Sequence, residues 1–246
     1  MKALISIFMI LVALIGNALT ITTEKTFEID TFKTDKGDLV ITFIGHGTLM
    51  MEAGNKVIHV DPVSREADYA VLPKGDIILI THEHGDHLDK KALALTTKPE
   101  TKTIISQSCK GLVDNALILF NGEKKTFGDL IIEAVPAYNI VNKRPDGKAY
   151  HPKGNGNGYV INFGGKRIYI GGDTENIPEM ADLKNIDIAF LPMNLPYTMT
   201  PQMVASAARS FMSHILYPYH FGDTNPQLLV DLLKDSPIEV RVRKMK

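Results

Sequence analysis

Residues 81–87 bring together the most closely spaced potential metal ligands in this chain. Their sequence is T-H-E-H-G-D-H, so three histidines and an aspartate fall within six residues. Neutral imidazole and carboxylate groups suit a divalent transition metal such as zinc. A helix or a strand would fix these side chains on set faces, whereas a loop lets them converge, and Gly85 is expected to give that loop its backbone freedom. The segment therefore predicts a metal site; the alternative is a solvated polar loop.

Four further histidines and aspartates stand at or near the ends of apolar runs that predict strands. A layered α/β protein gathers distant residues into one site at such positions. For the first two, an ordinary role in a turn is as open as a functional one. The four residues are His46, Asp61, Asp173 and His220.

Strand and helix patterns alternate along the chain, which indicates an α/β fold. The apolar run at residues 76–80 predicts a buried strand that leads directly into the histidine-rich loop. Further strands are predicted over 25–33, 38–53, 56–62, 103–106, 117–120, 130–135, 166–170, 187–193, 214–222 and 238–242.

Two predicted helices have recognisable starts. The first covers residues 88–95 with Asp89 near its beginning, and the second starts with Thr200 as N-cap and Pro201 in its first turn, ending at about Met212. Shorter helices are predicted over 109–115 and 225–234, and a long polar loop, of a length typical of functional or disordered segments, over 142–158.

The pattern H-x-H-x-D-H after a hydrophobic strand resembles the signature of the metallo-β-lactamase superfamily of hydrolases. This resemblance implies an α/β fold, a four-layer αβ/βα sandwich, formed by one domain. It also implies that one metal is held by His82, His84 and His151, the last being the sole histidine between the loop and Asp173. The second metal would be held by Asp86, His87 and His220, with Asp173 bridging the two and Asp61 holding a ligand histidine through its second ring N–H.

The chemistry that the resemblance implies is hydrolysis by a metal-bound hydroxide. Two Zn²⁺ ions, with Mn²⁺ or iron as alternatives, would activate a water for attack on an ester, lactone or phosphoester. Asp86 is expected to take part in catalysis, and His46, Asn194 and Tyr197 to position substrate or stabilise the oxyanion. Closer likeness to the L-ascorbate-6-phosphate lactonase-like branch is carried by residues 136–139, 151–154, 171–174, 194–200 and 218–220.

The charge balance of the chain indicates which class of partner to expect. With 27 basic and 28 acidic residues the chain has no basic excess, so a small-molecule substrate is expected rather than nucleic acid. The alternatives are a phosphodiesterase or phospholipase D-like activity, and a non-catalytic metal-binding protein of the same fold. The lone Cys109 excludes an internal disulfide and is interpreted as a small buried hydrophobic residue. A homo-oligomer is left open.

The N-terminus predicts export. Lys2 precedes the apolar run 3–15, and a small-residue site ends at Ala18, so residues 1–18 are interpreted as a signal peptide and 19–246 as the mature hydrolase domain. The alternative is an uncleaved anchor, although the run is shorter than the roughly 20 residues of a bilayer span. A periplasmic or secreted enzyme without stable membrane insertion is expected.

Overall fold

The computed structural model describes residues 26–246, so the predicted signal peptide lies outside the described residues. Within this range the strands form two sheets of seven strands each. The first sheet contains β1 (Glu28–Thr34), β2 (Gly37–Gly45), β3 (Thr48–Ala53), β4 (Lys56–Val60), β5 (Ile77–Ile80), β6 (Lys102–Ile105) and β7 (Leu117–Ile118). The second contains β8 (Lys124–Phe127), β9 (Leu130–Ala137), β10 (Gly156–Phe163), β11 (Lys166–Ile170), β12 (Ile188–Pro192), β13 (Ile215–Tyr219) and β14 (Glu239–Val240).

The two sheets repeat one strand pattern. In the first, β1 to β4 pair antiparallel and β4 to β7 pair parallel. In the second, β8 to β11 pair antiparallel and β11 to β14 pair parallel. Each half of the described chain therefore presents the carboxyl ends of a parallel set of strands, the positions from which α/β proteins build their sites.

The apolar run of β5 is continuous because both of its faces are buried. Ile77 and Leu79 face the core between the two sheets, whereas Ile78 and Ile80 pack with Leu93 of a helix on the outer side. Parallel strands covered on both faces have this uninterrupted apolar sequence. The core between the sheets includes aromatic contacts, among them Phe43 to Tyr217, whose ring centroids lie 4.9 Å apart.

Three α-helices are found in residues 26–246: α1 (Lys90–Thr96), α2 (Pro201–Phe211) and α3 (Gln227–Leu233). Asp89 caps α1 by accepting from the backbone N–H of Lys91 and Ala92, and Thr200 caps α2 by accepting from Met203. α1 packs outside the first sheet, while α2 and α3 pack together on the second half. The predicted four-layer αβ/βα sandwich is confirmed.

The helix predicted over 109–115 is wrong. A short 3₁₀ turn covers Gln107–Cys109, and turns follow it. Gly111 and Asn115 have positive φ angles of 79° and 55°, which interrupt a right-handed helix. Cys109 is buried, as predicted, and burial raises the pKa of its thiol to about 11.

The predicted polar loop is shorter than expected because Gly156 already belongs to β10. Its first part is a hairpin: Lys143 bridges Ala149, and the Arg144 N–H donates to the Lys148 carbonyl at 2.7 Å. None of the helices within residues 26–246 combines the length and apolar character needed to cross a bilayer.

Candidate metal centre

Two adjoining groups of imidazole and carboxylate side chains lie where the two halves meet. In each group, one ligand atom per residue lies within 4.8 Å of the others. All seven predicted metal ligands belong to these groups, and His46 joins them. The first group is His82, His84, His151 and Asp173, and the second is His46, Asp86, His87 and His220.

Asp173 faces both groups with one carboxylate. Its Oδ2 lies 3.2 Å from His151 Nε2 and 3.8 Å from His82 Nε2. Its Oδ1 lies 3.5 Å from Nε2 of both His87 and His220. A carboxylate in this position can offer one oxygen to each of two cations.

Several residues of the site lie at strand ends and have an unusual backbone conformation. Asp61 follows β4, Thr81 and His82 follow β5, and His220 follows β13. Asp61, His220 and His46 have positive φ angles of 44°, 47° and 50°, which non-glycine residues rarely adopt. Such conformations persist where the surroundings fix them, and they cluster at functional sites.

Gly172, rather than Gly85, is a glycine that the site requires. Gly172 has a φ of 63°, and a Cβ atom there would lie 2.7 Å from the Asn157 carbonyl oxygen and 3.2 Å from Thr81 Cβ. Gly85 has open space around it and no positive φ. The role expected for Gly85 is therefore wrong, because the loop of residues 81–87 reaches its shape without left-handed backbone at that position.

Asp61 sets the orientation of His87. Its Oδ2 lies 2.7 Å from His87 Nδ1, and it also accepts from the Thr81 backbone N–H and hydroxyl, at 2.8 and 2.6 Å. His87 Nδ1 therefore donates to Asp61, which turns Nε2 toward Asp173. Burial lowers the pKa of His87, but the carboxylates of Asp173 and Asp61 raise it more, to about 9.

Asn139 sets the orientation of His151 in the same way. Its Oδ1 accepts from His151 Nδ1 at 2.7 Å and from the His151 backbone N–H at 2.8 Å, so Nε2 faces Asp173. Asn139 Nδ2 in turn donates to Glu175 Oε1 at 3.1 Å. Neither Asn139 nor Glu175 was predicted from the sequence to have a role; the available signals were the P-A-Y-N motif and an acid two residues after Asp173.

Glu175 is a buried carboxylate that holds the start of the loop after β9. Its side chain accepts from the backbone N–H groups of Ile140, Val141 and Asn142, at 2.8, 2.7 and 2.6 Å. The residue is only 1% exposed. Hydrogen bonds from neutral donors to a buried carboxylate are strong, so Glu175 fixes this segment.

Unpaired buried atoms show that the residues fit cations. His87 Nε2, His220 Nε2 and Asp173 Oδ1 are buried and have no hydrogen-bond partner within residues 26–246. A buried polar atom without a partner costs roughly 1–3 kcal/mol, so the convergence of three such atoms needs compensation. Burial lowers the pKa of His82 well below its usual value, and His87 lowers it further. The neutral imidazole that results is the form that binds metal.

The carboxylate of Asp86 is ionised in this site. Burial raises its pKa, but the neighbouring imidazoles of His220 and His46 lower it far more, so the pKa lies well below its usual value. Within the two groups the donors are imidazole nitrogens and carboxylate oxygens, a set that suits zinc, manganese or iron.

Comparison with known proteins decides the family. A profile described as the Beta-lactamase superfamily domain matches residues 40–220. The chain belongs to the metallo-β-lactamase superfamily. A UPF0173 metal-dependent hydrolase of Thermococcus kodakarensis is 30% identical over 199 residues, covering 76% of this chain and 86% of the relative. The chain is therefore also a member of that family of metal-dependent hydrolases.

Solved structures agree with this assignment. The crystal structure of a candidate metal-dependent hydrolase from Parabacteroides distasonis is 52% identical, with a TM-score of 0.86, and covers 90% of this chain and 100% of that chain. A metallo hydrolase of Ignicoccus hospitalis has a TM-score of 0.69 at 22% identity, covering 84% of this chain and 95% of that chain, and shows the same fold.

The three residues of this hydrolase that were expected to contact substrate lie in two places: one among the metal ligands and two in the cavity wall. His46 lies inside the second group of ligands: its Nε2 is 3.2 Å from Asp86 Oδ2, and its ring centroid is 3.8 Å from that of His220. Asn194 and Tyr197 line the cavity that opens onto Asp173. His59 and His214 lie outside both groups; His59 is buried and bonds to the Pro73 carbonyl, and the His214 side chain is 80% exposed.

The cavity over the hydrolase centre has a volume of about 420 Å³, within the range of small-molecule sites. Two residues of its wall, Arg144 and Tyr150, come from the hairpin after β9 and were not identified from the sequence. Their only sequence signal was their position in a long polar loop.

Proposed function

We propose that this metal-dependent hydrolase cleaves a small ester, lactone or phosphoester with the help of two cations, most suitably Zn²⁺. His82, His84 and His151 would hold one cation, Asp86, His87 and His220 the other, and Asp173 would contact both. The observation that supports this arrangement is the position of Asp173, with one carboxylate oxygen toward each group. Bound cations would lower the pKa of a water at the site and offset negative charge that develops on the substrate.

The chain's own residues prepare the site. Asp61 and Asn139 accept the Nδ1 protons of His87 and His151, so in each ring Nε2 is the nitrogen that faces Asp173 and would bind a cation. His46 donates from Nε2 to the Asp86 carboxylate and holds it in place. Asn194 and Tyr197 supply an amide and a phenol at the cavity wall that can hydrogen-bond to substrate.

Metal analysis together with a substrate panel tests this function. Purified protein would be stripped with a chelator, reloaded separately with zinc, manganese or iron, and assayed on lactones, p-nitrophenyl esters, p-nitrophenyl phosphodiesters and β-lactams. Two ions per chain with turnover of an ester or a lactone is the expected result. Lactones come first because of the resemblance to the ascorbate-6-phosphate lactonase-like branch.

Variants locate the activity. His84→Ala and Asp173→Ala are expected to lose bound ion and turnover, while the matched control His214→Ala, a surface histidine, keeps both. Turnover of phosphodiesters alone would favour the phosphodiesterase or phospholipase D-like alternative. Stoichiometric metal without turnover of any substrate would favour a non-catalytic metal-binding protein.

We also propose that the chain is exported and cleaved after Ala18, on the strength of the charged and apolar N-terminal sequence. Cell fractionation followed by N-terminal sequencing of the mature protein tests this. A chain that retains residues 1–18 in the membrane fraction would support the anchor instead.

A further inference from the structure

The wall of the cavity over the metal centre includes an arginine side chain, Arg144, that forms few hydrogen bonds. Arg144 lies in its wall together with His84, Tyr150 and Tyr197. Within residues 26–246, no carboxylate forms an ion pair with Arg144. Four other arginines in that range each have a carboxylate partner: Arg65, Arg167, Arg241 and Arg243.

The Arg144 side chain is held in position by aromatic rings. Its guanidinium carbon lies 5.1 Å from the centre of the Tyr150 ring, within the range of a cation–π contact. The Tyr150 ring in turn meets Tyr197 edge-on at 5.1 Å. Within residues 26–246 the Arg144 guanidinium makes only two polar contacts, and both are long. Its Nη2 lies 3.4 Å from the Tyr150 carbonyl oxygen and 3.4 Å from His84 Nε2.

The contact with His84 has a consequence for metal binding. His84 Nδ1 is the inward nitrogen, because it lies 3.1 Å from His82 Nε2 and 3.2 Å from His151 Nε2. If Nδ1 gives its lone pair to a cation, the neutral ring must carry its proton on Nε2. Nε2–H and the Arg144 N–H groups are then neighbouring donors, and neither can accept from the other.

We propose that Arg144 and His84 Nε2–H together form an oxyanion subsite, so that the substrate carries a carboxylate or phosphate group beside the bond that is cleaved. An anionic oxygen placed between the two donors accepts from both, and the planar guanidinium can add a second parallel bond. This inference rests on the proposed function for the bond that is broken. The subsite itself requires only anion binding.

Calorimetric titration of the zinc-loaded protein tests the subsite without turnover. The probes are benzoate and phenylphosphonate, which distinguish a carboxylate from a phosphate-like ligand, with neutral benzamide as reference. Arg144→Gln is expected to weaken binding of the preferred anion by about 10-fold or more, because a charge-assisted hydrogen-bond pair is lost. Arg144→Lys should fall between, because it keeps the charge but not the planar fork.

Lys148→Gln is the matched control. It removes one positive charge from the same hairpin, but Lys148 is paired with Asp146 and lies outside the cavity wall. Its anion affinity is expected to stay within about two-fold of that of the unmodified protein. Zinc content and melting temperature of all variants are measured alongside, since Arg144 is exposed and its loss should leave the fold intact.

A second measurement observes His84 directly. Imidazole ¹H–¹⁵N spectra of the loaded protein should show His84 protonated at Nε2, and that signal should shift when the preferred anion binds. Equal anion affinity in Arg144→Gln and Lys148→Gln, or a His84 proton on Nδ1, overturns the subsite. If esters are still cleaved in that case, the proposed hydrolysis stands. If anion binding depends on Arg144 but no ester, lactone or phosphoester is cleaved, the subsite stands and the proposed hydrolysis fails.

Discussion

Replacing Glu175 with Gln should disturb the metal centre from outside it. The Glu175 carboxylate accepts from three consecutive backbone N–H groups, and its Oε1 also accepts from Asn139. Each oxygen takes two of these four bonds, so an amide in either orientation replaces an acceptor of two hydrogen bonds by a donor. Because Asn139 holds His151, the damage should reach the first group of ligands.

The expected size follows from those bonds. Two hydrogen bonds to a buried charge contribute roughly 1.5–3 kcal/mol each, so Glu175→Gln should lower the free energy of unfolding by about 3 kcal/mol or more. For a chain of this size, about 3 kcal/mol lowers the melting temperature by about 6–12 °C. Loss of a partner that orients a ligand histidine typically weakens metal binding by about 10–100-fold. The expected loss of zinc affinity in Glu175→Gln is therefore at most about 100-fold.

Thermal unfolding and zinc competition with a chelator measure both effects. The matched control is Glu179→Gln, which removes a partly exposed carboxylate that pairs with Lys153 at 2.7 Å. Surface pairs contribute about 0–1 kcal/mol, so this variant should melt within a few degrees of the unmodified protein and keep its zinc affinity. If Glu175→Gln melts and binds zinc like Glu179→Gln, the reasoning about the buried carboxylate is wrong.

Three further predictions use the same structure. Asp173→Asn should reduce bound zinc from two ions per chain toward one or none while the protein stays folded, as measured by metal analysis and circular dichroism; unchanged stoichiometry would contradict its shared position. Gly172→Ala should be destabilising by roughly 1–3 kcal/mol because of its positive φ and the 2.7 Å contact of a Cβ with a carbonyl oxygen, whereas Gly85→Ala should be nearly neutral, as compared by urea unfolding. Burial raises the pKa of Asp30, but hydrogen bonds from Arg243 and Tyr217 lower it more, so its folded pKa lies below the unfolded value. Its stabilising effect should therefore be complete above the unfolded pKa of about 3.9 and disappear as the pH falls through the folded pKa, so the stability difference from Asp30→Asn should shrink in acid; a constant difference would refute the linkage.

The parts of the fold that the sequence predicted well are those governed by local rules. Continuous apolar runs identified β5 and β12, and side-chain caps identified the starts of α1 and α2. The short helix expected at 109–115 failed because local spacing does not reveal a residue such as Asn115 in left-handed backbone. Boundaries of edge strands also shifted, because pairing partners decide where a strand ends.

The residues of the candidate site also fall into those that local sequence predicts and those that it does not. The clustered ligands and the strand-end aspartates could be predicted, because residue type and spacing along the chain are enough to identify them. Asn139, Arg144 and Glu175 could not, because each acts through contacts with residues distant in the chain. Glu175, for example, meets backbone groups 33–35 positions earlier. Amide and carboxylate side chains carry no local sign of such a partner.

The repeated strand pattern has a consequence for how the two halves depend on each other. His82, His84, Asp86 and His87 come from the first half, while His151, Asp173 and His220 come from the second. Neither half alone offers the full set for either ion. Cations seated at this seam would thus act as a cross-link that ties one sheet to the other, and the free energy of ion binding would add to the cohesion of the whole sandwich.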